Sequence, residues 1–419
     1  MATIPCVLSC LRHEPLDSRI ASGVEQLCGE LGHEFRDRVF TPLVTIRLFI
    51  LQVLHANTAI THLRQLIGFN FAPSSYCEAR QRLPLVLLQS LLQMMPGWVD
   101  AILAGPLLLG GRVLVADGSS VSTPDAPGML DHFQLPRGQK PGVGYPMAKI
   151  MGLMDAATGM FLQLLELPLF QHDMRGVMSV HRYLRAGDIL LGDRALCSFA
   201  HFAVLSAAGV FGCFRLHHRR KDLRPGVQRW TKPRTCPVWM TAAQFERLPK
   251  SIEVRLVRYV VAYPGFRTHE VFVATTLMDE NLWPDQAIAR MYARRWSIEL
   301  CFRHLKTTMK MDMLKCQSVE GVLKELAIYL MVYNMVRLVM LKAADKMGVD
   351  VDRVSFIDAA RCLASYLLGL EGVVELIVNP ARPGRVALRL ARRRKKPFNN
   401  TTKPRAAYRQ ASHPQGVGD

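Results

Sequence analysis

Two short apolar runs that each close on an aspartate constrain this chain more than any other feature: RVLVAD, ending at Asp117, and DILLGD, ending at Asp193. Runs of four or five apolar residues with polar or glycine boundaries read as buried strands, because a buried helix needs ten or more. SFAHFAVLSAAG behind Asp193 reads as a helix closed by Gly209, which makes a strand–carboxylate–helix unit. AKIMGLMDAATGMFLQLLEL reads as two strands joined by a turn at Gly159. A sheet flanked by helices, and so an α/β fold, is the expectation. An aspartate after one apolar strand is commonly only a turn or cap residue. Two in this setting place a pair of carboxylates at strand ends, where an active site is most readily presented.

With 419 residues, half of them apolar, the chain can bury a substantial core and make two or three domains. A formal net charge of +19 puts a large positive excess on the solvated surface, so the expected partner is a polyanion. The most membrane-like stretch, Leu326 to Leu341, carries Asn334 and Arg337 and is too short to span, so it reads as a core helix. No membrane is expected, the N-terminus lacks a signal-peptide pattern, and the expected location is the cytoplasm. The ten cysteines show no C-x-x-C pair and no zinc-finger spacing, and they read as reduced core residues.

Residues 1–105 read as helices. Thr41-Pro42 supplies an N-cap and a first-turn proline before LVTIRLFILQVL, and Ser75-x-x-Glu78 looks like a capping box opening YCEARQRLPLVLLQSLLQMM. HLRQLIGFNFAPSSYCEARQRL could form a helix-turn-helix that sets Arg80 and Arg82 against DNA, although plain helical packing gives the same pattern. Residues 211–283 bring apolar runs broken by Pro225, Gly226, Pro233, Pro237, Pro264 and Gly265, a β-rich texture. Pro284 and Asp285 begin a long helix running past Lys306, and 346–380 reads as a helical segment. From Arg382 to Arg409 there are eleven Lys or Arg and no acidic residue, so 381–419 is expected to be a disordered tail that meets a polyanion.

The helix MYARRWSIELCFRHLK places Tyr292, Arg295, Glu299 and Lys306 at offsets 0, 3, 7 and 14, with Arg303 at 11. At about 100° per residue these share one face, so one carboxylate stands among cations and a phenol. Ion pairs i,i+4 on a solvated helix would give the same spacing. Combined with Asp117 and Asp193, however, Glu299 completes a set of three carboxylates. Gathered without neutralisation these would repel one another and be costly to desolvate, so they imply bound divalent cations. Oxygen donors suit Mg²⁺ or Mn²⁺, and two such ions can clamp a phosphodiester. Arg295, Arg303 and Lys306 could then hold backbone phosphates beside the metals.

These residues resemble the DDE transposases of bacterial insertion sequences, of the insertion-sequence-four type. The family signature, Tyr-(2)-Arg-(3)-Glu-(6)-Lys, is met without a gap by Tyr292, Arg295, Glu299 and Lys306, and VLVADGSS and ILLGDRALCS resemble its two aspartate motifs in the same order. The likeness runs from about Thr41 to Leu341. It implies a ribonuclease-H-like core over 106–210 and 284–345, interrupted by a β-rich insertion at 211–283 and preceded by a small helical domain. It also implies Mg²⁺-dependent excision at terminal inverted repeats and insertion into target DNA, by a homodimer on double-stranded DNA. Asp117, Asp193 and Glu299 would be catalytic and metal-binding. Arg194, directly after Asp193, would face DNA with Tyr292, Arg295, Arg303 and Lys306, and Trp230 or Trp239 could hold a flipped base. A nuclease of the same fold without strand transfer and a silent DNA-binding descendant remain as alternatives. A glycosidase pair fits poorly, because the basic stripe around Glu299 does not suit a neutral sugar.

Overall fold

A computed structural model describes residues 3–4, 16–35, 39–100, 111–136, 144–171, 173–216, 224–261, 269–369 and 376–379. The basic tail expected over 381–419 lies outside the described residues.

The strands are β1 (Thr3–Ile4), β2 (Val113–Ser122), β3 (Met147–Asp155), β4 (Phe161–Leu167), β5 (Ile189–Gly192), β6 (Phe211–Arg215), β7 (Gly226–Thr231), β8 (Ser251–Val261), β9 (His269–Thr275) and β10 (Leu376–Ile377). β1 pairs only with β10, while the others form one eight-stranded sheet in the order β4-β3-β2-β5-β6-β9-β8-β7. β3 pairs antiparallel with both β4 and β2, and on the other side of β2 come β5, parallel to it, and then β6, parallel to β5. Parallel strands need both faces covered. Accordingly Ile189, Leu190 and Leu191 of β5 are wholly buried, each contributing roughly 1.5–3 kcal/mol by leaving water. The β3–β4 hairpin turns where the Asp155 carboxylate accepts from the backbone N–H groups of Ala157 and Thr158, and Gly159 takes φ +70°. A side chain at Gly159 would also run into the Arg337 guanidinium packed over it.

The segment expected as a β-rich insertion contributes its strands to this same sheet. β6 pairs with β5, β9 pairs antiparallel with β6, and β8 and β7 extend the edge.

Helices Asp173–Val180 and Phe199–Ala207 cover one face of the sheet. The other face packs against helices Ser297–Arg303 and Val319–Met347, and the helices Pro42–Leu54 and Leu85–Met94 join the same core. Val319–Met347 is long and apolar enough to cross a membrane by composition, but nearly all of it is buried inside the protein, so it is the core helix that the sequence led us to expect.

The N-terminal helices follow local chemistry in part. Thr41 Oγ1 accepts from Val44 N at 3.2 Å and Pro42 starts the helix, as the sequence indicates. The expected capping box at Ser75 does not form, because Pro73 opens the helix Pro73–Arg82 two residues earlier and Glu78 pairs with Arg82 instead. Pro84, which cannot donate an N–H, splits the long helix expected after Ser75 into Pro73–Arg82 and Leu85–Met94. The N-terminal helices meet the core at Glu325, which is fully buried and accepts from Asn57 Nδ2 at 2.6 Å, Lys315 N at 3.0 Å and Cys316 N at 2.8 Å. Leaving such a buried carboxylate short of one of these donors costs about 1–3 kcal/mol.

Candidate active site

Register places the two aspartates side by side. β2 and β5 are in parallel register with Val115 opposite Leu191, so two residues further on Asp117 and Asp193 stand level on adjacent chains. Neighbouring strands are about 4.8 Å apart, close enough for the charge of Asp193 to act on Asp117. Asp193 ends β5 as expected. Asp117 does not end β2, which runs on to Ser122 paired with β3, but it lies just beyond the last β2–β5 pair, so the sheet opens beside it. Asp117 Oδ1 accepts from Gly118 N at 2.9 Å, and Asp193 Oδ1 caps the following 3₁₀ turn through Ala195 N at 2.8 Å.

Glu299 approaches on the segment Asp285–Thr308. This is helical throughout, as expected, but irregular: α-helix to Ala293, a 3₁₀ turn at Arg294–Trp296, α-helix at Ser297–Arg303 and a π turn at His304–Thr308. Changes of pitch alter which residues share a face, so the uniform stripe inferred from 100° steps is redistributed.

Tyr292 is only 1% exposed, and its hydroxyl donates to the carbonyl oxygen of Gly192 at 3.2 Å. It therefore fixes the end of β5 one residue before Asp193 instead of facing DNA, and burial pushes its phenol above the ordinary value. Arg295 is likewise buried rather than presented to phosphate, its guanidinium lying over the Trp296 ring with Nη2 3.4 Å from Glu299 Oε1. Lys306 Nζ donates to Ser120 O at 2.7 Å and Ser119 Oγ at 3.4 Å, tying the helical segment to β2 just past Asp117. Arg303 is exposed but lines a different cavity, with Arg294 and Arg337. Arg194 is exposed beside Asp193, as expected.

The electrostatics tie the three carboxylates together. Burial pushes the Asp117 carboxyl up to about 6, the charges of Asp193 and Glu299 add to the rise, and the Arg295 guanidinium and the Gly118 N–H oppose it. The oxygen-only donor set fits a hard divalent cation. Glu299, half exposed, is turned to Arg295, and among the described residues no three His, Cys, Asp or Glu side chains are drawn close enough to enclose an ion. The structure thus brings Asp117 and Asp193 together and places Glu299 within range of their charge, without closing the trio.

Asp117 and Asp193 also border a cleft of about 320 Å³ walled by Ser119, Ser120, Lys149 and Asp173. Lys149 stands opposite Ser120 on β3, and its Nζ lies 2.6 Å from Asp173 Oδ1 and 2.6 Å from Gln171 O. Sequence reasoning missed Lys149. The only available signal was a lone lysine in an otherwise apolar strand run.

Two other expectations fare differently. Arg80 is turned inward, 3.8 Å from the centre of the Phe49 ring and bonded to Gln52 and Cys316, so the helical packing reading prevails there over a helix-turn-helix contact with DNA. Arg82 remains exposed. Trp230 is 8% exposed and packs edge-on against Phe202, which leaves Trp239, half-buried, as the more accessible tryptophan.

A family model described as Transposase DDE domain matches residues 109–335, more than half of the chain and all of this site. The chain belongs to that family. As a transposase it is also 25% identical over 359 residues to transposase InsG for insertion sequence element IS4 of Escherichia coli (strain K12), a match covering 80% of this chain and 77% of that protein. The resemblance to the insertion-sequence-four type read from Tyr292, Arg295, Glu299 and Lys306 therefore holds. Among solved structures, a cryo-EM structure of the piggyBac transposase synaptic complex with hairpin DNA aligns over 88% of this transposase and 83% of that chain, at 11% identity and a TM-score of 0.40. That score is too low to fix a shared arrangement of elements.

Proposed function

We propose that this transposase excises and inserts an insertion sequence by divalent-cation-dependent phosphodiester hydrolysis and strand transfer at Asp117, Asp193 and Glu299. The observation that carries the reading is the β2–β5 register, which sets two carboxylates level at the opening of a parallel pair, with the Glu299 helix packed against the sheet. The sheet order, three antiparallel strands followed by two parallel ones, supports a ribonuclease-H-like core with β7–β9 as its β-rich insertion.

Asp117 and Asp193 are the residues to hold Mg²⁺ or Mn²⁺, and Glu299 completes the set by leaving Arg295. Two such ions, when bound, would supply Lewis-acid stabilisation of the scissile phosphate and activation of a water or 3′-hydroxyl. Tyr292 holds the backbone that presents Asp193, Lys306 holds the backbone beyond Asp117, and Arg295 keeps Glu299 from drifting in the ion-free state. Lys149 and Arg194 are the cations best placed to receive a DNA phosphate beside the carboxylates. The partners are double-stranded DNA, first the terminal inverted repeats and then the target, engaged by a homodimer in the cytoplasm. The 381–419 tail adds sequence-independent affinity, so truncation at Pro380 should flatten the dependence of DNA binding on salt.

The test is a reaction of the purified protein with DNA carrying the terminal sequences that flank its gene, in Mg²⁺ or Mn²⁺. Excised ends joined to a second DNA molecule support the reading. Cleavage without joining would make the chain a nuclease, and binding without cleavage would make it a silent DNA-binding descendant.

A further inference from the structure

Behind the helix that carries Glu299 lies a second basic cavity, of about 400 Å³, that the catalytic reading does not use. Arg294, Ser297, Cys301, His304 and Thr308 line it at spacings of three and four, the repeat of one helix face. Glu299, two residues from both Ser297 and Cys301, lies about 200° away around the helix. The opposite wall is Arg337 of helix Val319–Met347, with the β3–β4 turn at Gly159 as one side.

Among the described residues three guanidinium groups, of Arg294, Arg303 and Arg337, border this space against one carboxylate, Asp352. That carboxylate is mostly exposed and lies 3.4 Å from Arg337 Nη1. Arg337 is held by two bonds to Thr158 O, and Arg294 Nη1 donates to Ala156 O at 3.2 Å. Among the described residues Arg303 makes no hydrogen bond or ion pair. His304 stacks on Phe356 at 4.3 Å between ring centres, and its Nδ1 is buried without a hydrogen-bond partner among the described residues. Buried polar atoms are rarely left unmatched, and such exceptions concentrate where a ligand or water completes the bond. The π turn beginning at His304 is also the kind of local distortion that is retained at functional positions.

We propose that this cavity is a phosphate-binding site, filled by a backbone phosphate of the bound DNA at a point separate from the scissile bond. Guanidinium forks match phosphate oxygens in shape as well as charge. Arg303 is the residue free to close over the phosphate, while Arg294 and Arg337 are already oriented by backbone carbonyls. The site borders the helix that bears Glu299, so DNA held there would brace that helix from behind. The proposal goes beyond the catalytic assignment and does not depend on it.

The test uses the full chain and the double variant Arg294→Gln/Arg303→Gln, leaving the structural Arg337 in place. Thermal melting in chloride checks folding. Melting is then repeated with inorganic phosphate, and binding to a short duplex is followed by fluorescence anisotropy over a range of salt. Phosphate should raise the melting temperature of the wild type and of Asp117→Asn, but not of the double variant. The double variant should also bind duplex about tenfold more weakly, with a salt slope reduced by about one to two. Loss of the phosphate response with unchanged DNA affinity would retain the phosphate site but make free phosphate or a nucleotide its occupant. A double variant that melts like the wild type and keeps both the phosphate response and the salt slope overturns the proposal. If it melts lower in chloride, the single variant Arg303→Gln, whose side chain makes no hydrogen bond or ion pair among the described residues, decides by the same two readouts.

Discussion

Asp117 and Asp193 are placed by backbone register, whereas Glu299 is placed by side-chain contacts on a segment that changes pitch between Asp285 and Thr308. A strand pair inside a buried sheet cannot shift by one residue without turning its apolar side chains to the wrong face, so the aspartate half is rigid. The glutamate half is held by bonds that can be exchanged, Arg295 to Glu299 and Lys306 to Ser120. The difference teaches that, on the proposed reading, the register-held half would be the fixed platform for cations and the helical half would bring the ligand that moves onto it.

The largest effect that could break this comparison is loss of chemistry. Asp117→Ala, Asp193→Ala and Glu299→Ala should each lower DNA cleavage by about 10³-fold or more, since two-ion chemistry needs every carboxylate, while DNA affinity stays within a few-fold. The halves should separate in metal binding. Mn²⁺ should raise the melting temperature of Glu299→Ala partially and of either aspartate variant not at all. An equal loss in all three would mean that Glu299 is as much a part of the platform as the aspartates.

The second effect is on stability and has the opposite sign. The Asp117 carboxyl is raised by burial from 3.8 to about 6, so the ion-free folded state holds a proton that the unfolded chain releases. Stability therefore falls as pH rises through roughly 4 to 6 and stays lower above it. Asp117→Asn should remove that loss and stabilise the ion-free protein at pH 7 by on the order of 1–3 kcal/mol, read from denaturant melts at several pH values. A variant less stable than wild type at pH 7 would show that Asp117 is already neutralised by Arg295.

A smaller effect sharpens the view of the helical half. Tyr292→Phe strands the Gly192 carbonyl and should cost about 1–2 kcal/mol of stability. Turnover should fall more than DNA affinity, because the hydroxyl orients the aspartate strand instead of touching DNA. A fall in affinity alone would restore the phosphate-contact role expected from the sequence. The smallest effect belongs to the exposed Glu78–Arg82 pair. Arg82→Ala should change stability by less than about 0.5 kcal/mol, while a clear drop in duplex affinity would revive a DNA-contacting role for that helix.

Much of the site was legible because its strongest signals are local. An apolar run ending in a carboxylate depends only on neighbouring residues, and so did the Thr41 cap, the Gly159 turn and the helix closing at Gly209. Asp117, Asp193 and Glu299 could therefore be singled out as candidates from the sequence, on two strands and a helix that the structure contains. Where each side chain points was not encoded at that range. A 100° rule treats 292–306 as one ideal helix, yet packing against β5 and β2 tightens it at Arg294–Trp296 and widens it at His304–Thr308. That draws Tyr292 and Arg295 inward, while the side chain of Arg303, one α-turn beyond Glu299, lines a different cavity. Arg80 reads as a surface arginine in sequence and becomes a core contact only because Phe49 and Cys316 meet it from 31 residues before and 236 residues after. The strands after Phe211 read as a β-rich insertion, and sequence could not say that β9 would pair with β6 and so extend the main sheet. Hydrophobic period and turn chemistry thus determined most of the elements, and motif spacing singled out the candidate carboxylates. Which charges are buried, which are paired and which cavity they face was decided only by the docking of elements far apart in the chain.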